Sequence, residues 1–216
     1  MSDTRRFTES ISCGSMTIVT GQLDAAMFRR VLGCYPTGVV VVAAMVDGKP
    51  EGLAVNSFTS VSLDPPLIAF CAAATSSTWP RLRRAEGFAI TMLGAAQQDA
   101  CRTFASKGAD RFSAVSWSMS PGGHPLLDGA LAWLDVVPHS MQQAGDHELV
   151  LARVTGLGAA PDDHPLVFFR GAFTALSRPE TAAPSPGLDL TTAPHGLDAE
   201  SPFFDVLAAK LDAAAT

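Results

Sequence analysis

Leu53-Ala54-Val55-Asn56-Ser57-Phe58-Thr59-Ser60-Val61-Ser62-Leu63-Asp64-Pro65-Pro66 is the stretch on which the fold turns. Its apolar start reads as the end of a strand. An asparagine and a run of small hydroxyl residues follow, and a double proline stops them. Such a run can be a polar loop whose side chains bond their own backbone. It can equally be a loop that turns backbone N–H groups and hydroxyls toward a planar, polar ligand. The residues on either side frame that choice.

Upstream lies Val39–Val46, eight apolar residues with a β-branched majority at the start. Length and branching predict a buried strand rather than a helix. Asp47-Gly48-Lys49-Pro50-Glu51-Gly52 is turn chemistry, so residues 53–57 read as the returning arm of a hairpin. Further upstream, Asp24 can cap a short helix carrying Met27, Phe28, Val31 and Leu32, which Tyr35-Pro36-Thr37-Gly38 ends. Downstream, strands are expected at 67–72, 88–93, 130–137, 148–157 and 166–176, the last broken at Gly171. Helices are expected at about 80–85 and 95–106. Many short strands with turn signals and few helices predict a mainly β barrel or sandwich, not a doubly wound sheet. No internal repeat is visible.

The chain has 216 residues, 47% of them hydrophobic and 17% charged. That length suits one domain with extensions, or at most two small domains. Charge is below the usual share of about 25%, so some apolar surface should be covered by a partner chain or a ligand. A net charge of −6 without a basic patch argues against a nucleic-acid partner. An eight-residue apolar run falls short of the roughly 20 a spanning helix needs, so no membrane partner is expected. Arg5 and Arg6 have no apolar stretch behind them, which argues against a secretory signal. Cys13, Cys34, Cys71 and Cys101 form no CxxC pair. They read as reduced, mostly buried thiols of a cytoplasmic protein.

The domain expectation follows composition. Residues 1–22 read as a flexible N-terminus and 23–176 as the barrel domain. Residues 177–200, with Pro179, Pro184, Pro186 and Pro194, read as a linker. In 201–216, Ser201-Pro202 can open a helix in which Phe203, Phe204, Leu207 and Leu211 share one face.

Common enzyme signatures fail. There is no GxxxxGK[ST] and no GxSxG. Gly156-Leu157-Gly158-Ala159-Ala160-Pro161 lacks the third glycine of a dinucleotide fingerprint. His147-Glu148 begins an HExxH, but position 151 is leucine. The five histidines do not cluster at metal-ligand spacing, and no metal is expected.

Three further motifs remain. Thr75-Ser76-Ser77-Thr78-Trp79-Pro80-Arg81 leads four hydroxyls into a helix-opening proline, which reads as N-capping or as a phosphate cradle. Gly145-Asp146-His147 precedes a strand. Lys107 to Arg111-Phe112 closes a helix, where cations are favourably placed.

In this order these residues resemble the flavin reductase family, the NAD(P)H:flavin oxidoreductase components of two-component monooxygenases. The resemblance spans about 28–176. It rests on Phe28-Arg29, Tyr35-Pro36-Thr37-Gly38-Val39, the Ala54 to Ser62 run with Pro65-Pro66, and Ser76-Ser77-Thr78. It continues through 88–93, Phe104, Arg111-Phe112, Gly145-Asp146-His147, and Pro165-Leu166 before Phe169 and Gly171. It implies an FMN-binding split β-barrel, six-stranded, antiparallel and Greek-key, with a few flanking helices, usually homodimeric. It implies hydride transfer from NADH or NADPH to FMN or FAD, with reduced flavin reaching an oxygenase by diffusion. A tightly flavin-binding electron-transfer or storage protein of the same fold is the alternative. The implied flavin residues are Thr37, Val55, Asn56, Ser57, Phe58, Thr59 and Ser60 around the ring. Ser76, Ser77 and Thr78 would hold ribityl or phosphate oxygens. Arg111, Gly145 and Asp146 complete the implied cofactor set, and His147 would face the nicotinamide. Two positions depart from the family pattern: Asp135 replaces a frequent cysteine, and Ala152 replaces a small glycine.

Overall fold

The structure is a computed structural model that describes residues 10–13, 16–19, 21, 23–108, 110–160, 164–174 and 176. The expected linker at 177–200 and helix at 201–216 lie outside the described residues. So do the first nine residues of the expected N-terminal segment.

Strands β1 (Ser10–Cys13) and β2 (Met16–Val19) form an antiparallel hairpin where an irregular segment was expected. The reason lies in a β-branched pattern, Ile11 and then Thr17-Ile18-Val19, on either side of Gly14. Helix α1 (Ala25–Leu32) starts where expected, with the Asp24 carboxylate accepting from the Ala26 amide at 2.6 Å. Strand β3 (Thr37–Gly38) follows. Strands β4 (Val40–Val46) and β5 (Lys49–Val55) form the predicted hairpin. Its turn is tighter than expected. Asp47 (φ 51°) and Gly48 (φ 75°) alone make it, and pairing resumes at Lys49. Pro50 is tolerated there because β5 lies at a sheet edge.

Next come β6 (Thr59–Leu63), β7 (Pro66–Ala73), the single-turn α2 (Trp79–Leu82) and β8 (Phe88–Met92). A 3-10 turn leads into α3 (Gln98–Ala105). The short β9 (Trp117–Met119) and β10 (Pro125–Leu127) pair as a hairpin. The long β11 (Ala132–Ala144) and β12 (His147–Ala159) pair along their whole length. The last strands, β13 (Val167–Phe169) and β14 (Ala172–Thr174), pair with each other, and β13 also pairs with β3.

One antiparallel sheet dominates, in the order β5-β4-β8-β11-β12-β7-β6. It has seven strands where six were expected, because β6, the hydroxyl run open to reading as a loop, pairs along the edge of β7. The sheet curls until β5 approaches β7. Residues 56–58 cross that seam. Ser57 stitches it: its hydroxyl accepts from the Cys71 amide (2.8 Å) and donates to the Cys71 carbonyl (3.2 Å). A side chain here replaces the ladder bonds that the split interrupts.

The core explains the apolar run. Val40, Val42, Ala44 and Val46 point into the barrel beside Ile68, Phe70, Phe88, Ile90 and Val150. Val39, Val41 and Ala43 point outward into a second layer with Leu93, Cys101, Phe104, Phe112 and Leu166. A strand covered on both faces reads as continuous rather than alternating hydrophobicity. Trp79 and Leu82 bring α2 into the inner cluster. Trp79 packs edge-on against Phe70, with ring centroids 5.8 Å apart. Its indole N–H donates to Glu148 (2.6 Å), which also accepts from Arg83 (2.9 Å).

Asp135 has a structural task. It is buried, and its carboxylate accepts from the Ser120 hydroxyl (2.5 Å) and the Gly122 amide (2.8 Å). It thereby anchors the β9–β10 hairpin, whose three-residue strands are too short to carry a strand signal. The thiols are more exposed than expected: Cys34 is exposed, Cys71 half-buried and Cys101 buried.

Candidate functional site

Three chain segments converge beside the end of β5. Leu53 to Ser57 form one wall. Cys71 and Ala73, with Thr75, Ser76 and Ser77 beyond β7, form another. The C-terminal end of α3, from Phe104 to Lys107, forms the third. His147 joins them because β12 pairs with β7 in a register that sets it opposite Ala73. Together they enclose a groove of about 330 Å³.

Arg111 stands at one end. Its Nη1 donates to the Gly52 carbonyl (2.8 Å) and the Thr78 hydroxyl (2.6 Å), and its Nη2 donates to the Ser106 carbonyl (2.5 Å). One guanidinium thus ties β5, the start of α2 and the end of α3 together. Burial pulls its pKa down, partly offset by Glu51. Its Nε is buried without a hydrogen-bond partner.

The hydroxyl cluster divides its work. The Ser76 hydroxyl accepts from the Thr78 and Trp79 amides at 3.3 and 3.1 Å, which is N-capping. Thr78 is only 2% exposed, and its hydroxyl is engaged by Arg111. Ser77 is exposed and lines the groove. Helix α2 is one turn, not the six residues expected, because Arg83 already closes it. This end of the groove is therefore lined by hydroxyls and the Lys107 and Arg111 side chains rather than by a helix end.

Gly145, at φ 62°, turns the chain between β11 and β12. The Asp146 carboxylate accepts from the His147 ring nitrogen Nδ1 at 2.8 Å, and that bond holds the carboxyl below its ordinary pKa. Gln143 donates to the Gly145 and His147 carbonyls (2.8 and 3.0 Å), which stiffens the turn.

The groove gathers Val55, Asn56, Ser57, Ser76, Ser77, Arg111 and His147. Asp146 and Gly145 stand behind His147. Thr78 lies beneath Arg111. Thr59 and Ser60 pair with β7, and Phe58 packs on the barrel interior, so none of these three lines the groove. Thr37 lies in β3, its hydroxyl buried without a partner. Cys71 was missed, and Thr75, the first of the four hydroxyls, lines the groove as well. Lys107 was read only as a helix-end cation, although its Ser-Lys-Gly context right after a helix marks a place where the chain stops at a surface.

A curled antiparallel barrel bearing a groove lined by hydroxyls, a histidine and two cations defines a β-barrel with a polar ligand groove at its seam. The chain's relatives make that specific. A family described as flavin reductase like domain matches residues 32–177. A flavin reductase from Pseudomonas putida is 46% identical over 157 residues, covering 72% of this chain and 92% of the relative. The reductase subunit of a flavin-dependent monooxygenase from Rhodococcus jostii is 36% identical over 176 residues, 82% of this chain and 90% of that one. The solved NADH:FAD oxidoreductase of Streptomyces globisporus, in complex with NAD and FAD fragments, superposes with a TM-score of 0.69 at 36% identity. It covers 74% of this chain and 96% of its own. The chain belongs to the flavin reductase family.

Proposed function

We propose that this protein is an NAD(P)H:flavin oxidoreductase that reduces FMN or FAD and supplies reduced flavin to a partner monooxygenase. The groove beside β5 carries the reading. Its donor set fits a flavin nucleotide. Leu53, Val55 and Phe104 offer apolar surface to a ring. Thr75, Ser76 and Ser77, with Lys107 and Arg111, offer hydroxyls and charge to ribityl and phosphate oxygens. NADH and FAD are supported as the pair by the name of the Streptomyces globisporus neighbour.

Bound nicotinamide and flavin supply the hydride chemistry. The chain supplies placement. Ser57, locked to Cys71 by two hydrogen bonds, fixes the turn at which Asn56 and Ser57 border the groove. Thr37, Phe58, Thr59 and Ser60 are proposed as further flavin-site residues outside the groove lining. Ser76, Ser77 and Thr78 shape the phosphate end around Arg111. Gly145 and Asp146 orient His147: the Asp146 carboxylate accepts from Nδ1–H, which leaves Nε2 as the ring's open acceptor toward the nicotinamide. The test is NADH oxidation followed at 340 nm with FMN, FAD or riboflavin added. Flavin-dependent loss of absorbance is expected; no rate above background with any flavin would sink the reading.

A homodimer is part of this proposal, since the outer face of α1 is apolar and uncovered. A cytoplasmic location is also part of it and suits the free thiols of Cys34 and Cys71. No described helix is long and apolar enough to cross a membrane. Residues 177–200 and 201–216 are proposed as linker and docking helix. Deleting 177–216 should leave flavin kinetics unchanged and abolish partner pull-down.

A further inference from the structure

We propose, resting on the flavin reduction argued above, that Glu148 is a positioning residue. It pins the hydroxyl loop of the groove to the strand that carries His147, and so sets the flavin against the nicotinamide. Glu148 follows His147 on β12, and successive strand residues face opposite ways. His147 lines the groove. Glu148 faces inward with Val150 and Ala152, both members of the inner core cluster. Its side chain is 12% exposed. A carboxylate on the apolar face of a strand needs partners for both oxygens. Its Oε2 accepts from the Trp79 indole N–H at 2.6 Å, and its Oε1 accepts from Arg83 Nη2 at 2.9 Å. Trp79 opens α2 and Arg83 closes it.

What lies between the ends of this tie gives it a role. Residues 74–79 leave β7 and enter α2, and both ends of the segment are fastened to the 146–148 stretch. At one end the Ala74 amide donates to the Asp146 carbonyl at 2.9 Å. At the other, Trp79 donates to Glu148. Thr75, Ser76 and Ser77 form the span and line the groove, and His147 sits between the two anchors. The span is braced from within. The Ser76 amide donates to the Ala73 carbonyl at 3.0 Å, and the Ser76 hydroxyl accepts from the Thr78 and Trp79 amides. A shift of Trp79 therefore moves the groove hydroxyls relative to His147. The indole is a firm anchor. It is 3% exposed and packs on Phe70 and Phe88, with ring centroids 5.8 and 6.1 Å away. Neither Glu148 nor Trp79 lines the groove, so both act through the loop and His147. Such indirect placement carries weight, because a misplacement of about 1 Å can slow a reaction roughly a hundredfold.

The test uses the full-length protein, steady-state kinetics with NADH and FMN or FAD, and NADH deuterated at both C4 positions. Trp79→Phe keeps a buried ring and removes the donor. Glu148→Ala removes the acceptor. Each should lower kcat about tenfold and leave the KM for flavin and NADH within about twofold, because the binding groups stay and their alignment is lost. The deuterium isotope effect on kcat should rise in both variants as hydride transfer becomes the slow step. Glu148→Gln, whose amide oxygen still accepts from the indole, should recover most of the rate lost in the alanine variant. The double variant should be no slower than the slower single one, since both remove the same bond. Three results would overturn the tie and leave flavin reduction standing: an unchanged kcat in Trp79→Phe, a glutamine variant as slow as the alanine one, or losses that multiply in the double variant. A lowered Tm with kcat and the isotope effect unmoved would make Glu148 a core contact alone and also overturn it. If Glu148→Ala does not fold, Trp79→Phe and Glu148→Gln decide. If the wild-type chain reduces neither flavin, the reductase reading itself fails.

Discussion

Arg111 shows how one side chain can serve structure and site together. Its guanidinium satisfies three oxygens from three elements, one of them the buried Thr78 hydroxyl. Hydrogen bonds to a charged group are worth about 1.5–3 kcal/mol each, and orphaned acceptors cost more than lost contacts. Arg111→Met should therefore lower stability by roughly 2 kcal/mol and raise the flavin KM about tenfold or more, read by thermal unfolding and by kinetics. Arg111→Lys should restore little, because a single ammonium cannot reproduce the fork. His124 makes the opposite kind of case. Burial lowers its pKa below 6.5, with Asp135 partly opposing. As pH falls below 6.5, the unfolded chain takes up a proton there and the folded chain does not. Stability thus rises with pH through the window between the lowered value and 6.5, and is lost below it. His124→Gln should flatten the slope of Tm against pH in that window; an unchanged slope would remove His124 from the account.

At the scale of elements, Gly52 sets how closely α3 approaches the sheet. A Cβ there would lie 2.9 Å from the Phe104 ring and 3.2 Å from the Val42 carbonyl. Gly52→Ala should cost about 1–3 kcal/mol by overpacking. It should also push Ser106 and Lys107 away from the groove, so the flavin KM should rise along with the loss of stability. The elements also show what a sequence can reveal. β4 was legible because burial on both faces leaves an unbroken apolar run. β6 stayed open to a loop reading because an edge strand with one exposed face can be nearly all hydroxyl. β9 and β10 were invisible because their pairing depends on Asp135, contributed from a strand elsewhere. The site was half legible for the same reason. Asn56, Ser57, Ser76, Ser77, Arg111 and His147 announce themselves as polar groups in short motifs. Cys71 reaches the groove only through the curl of the sheet, a fact of three-dimensional register rather than of local pattern.

At the scale of the whole molecule, the low charge fraction implies apolar surface that needs a cover. The barrel interior and the outer layer take much of it. Part of what remains is gathered on and just after α1: Phe28, Val31, Leu32 and Tyr35 are 51%, 62%, 56% and 74% exposed, while Val61, Leu63, Met119 and Leu157 are exposed singly or in pairs on other strands. No residue of α1 is buried, although Asp24 caps it well and its apolar positions follow a helical period. A helix of eight residues is marginal by propensity alone, since most helical stability comes from packing an apolar face. A second copy offering the same face would supply that packing through a two-fold interface. Stable interfaces bury roughly 1,200–2,000 Å² in total, so one short helix per chain can form only part of it. Light scattering on the eluted peak should give about twice the 22.5 kDa chain mass. Val31→Asp, which sets a charge in the middle of the apolar face, should shift that peak toward a single chain and lower Tm. Wild-type protein eluting at the mass of one chain would refute the pairing.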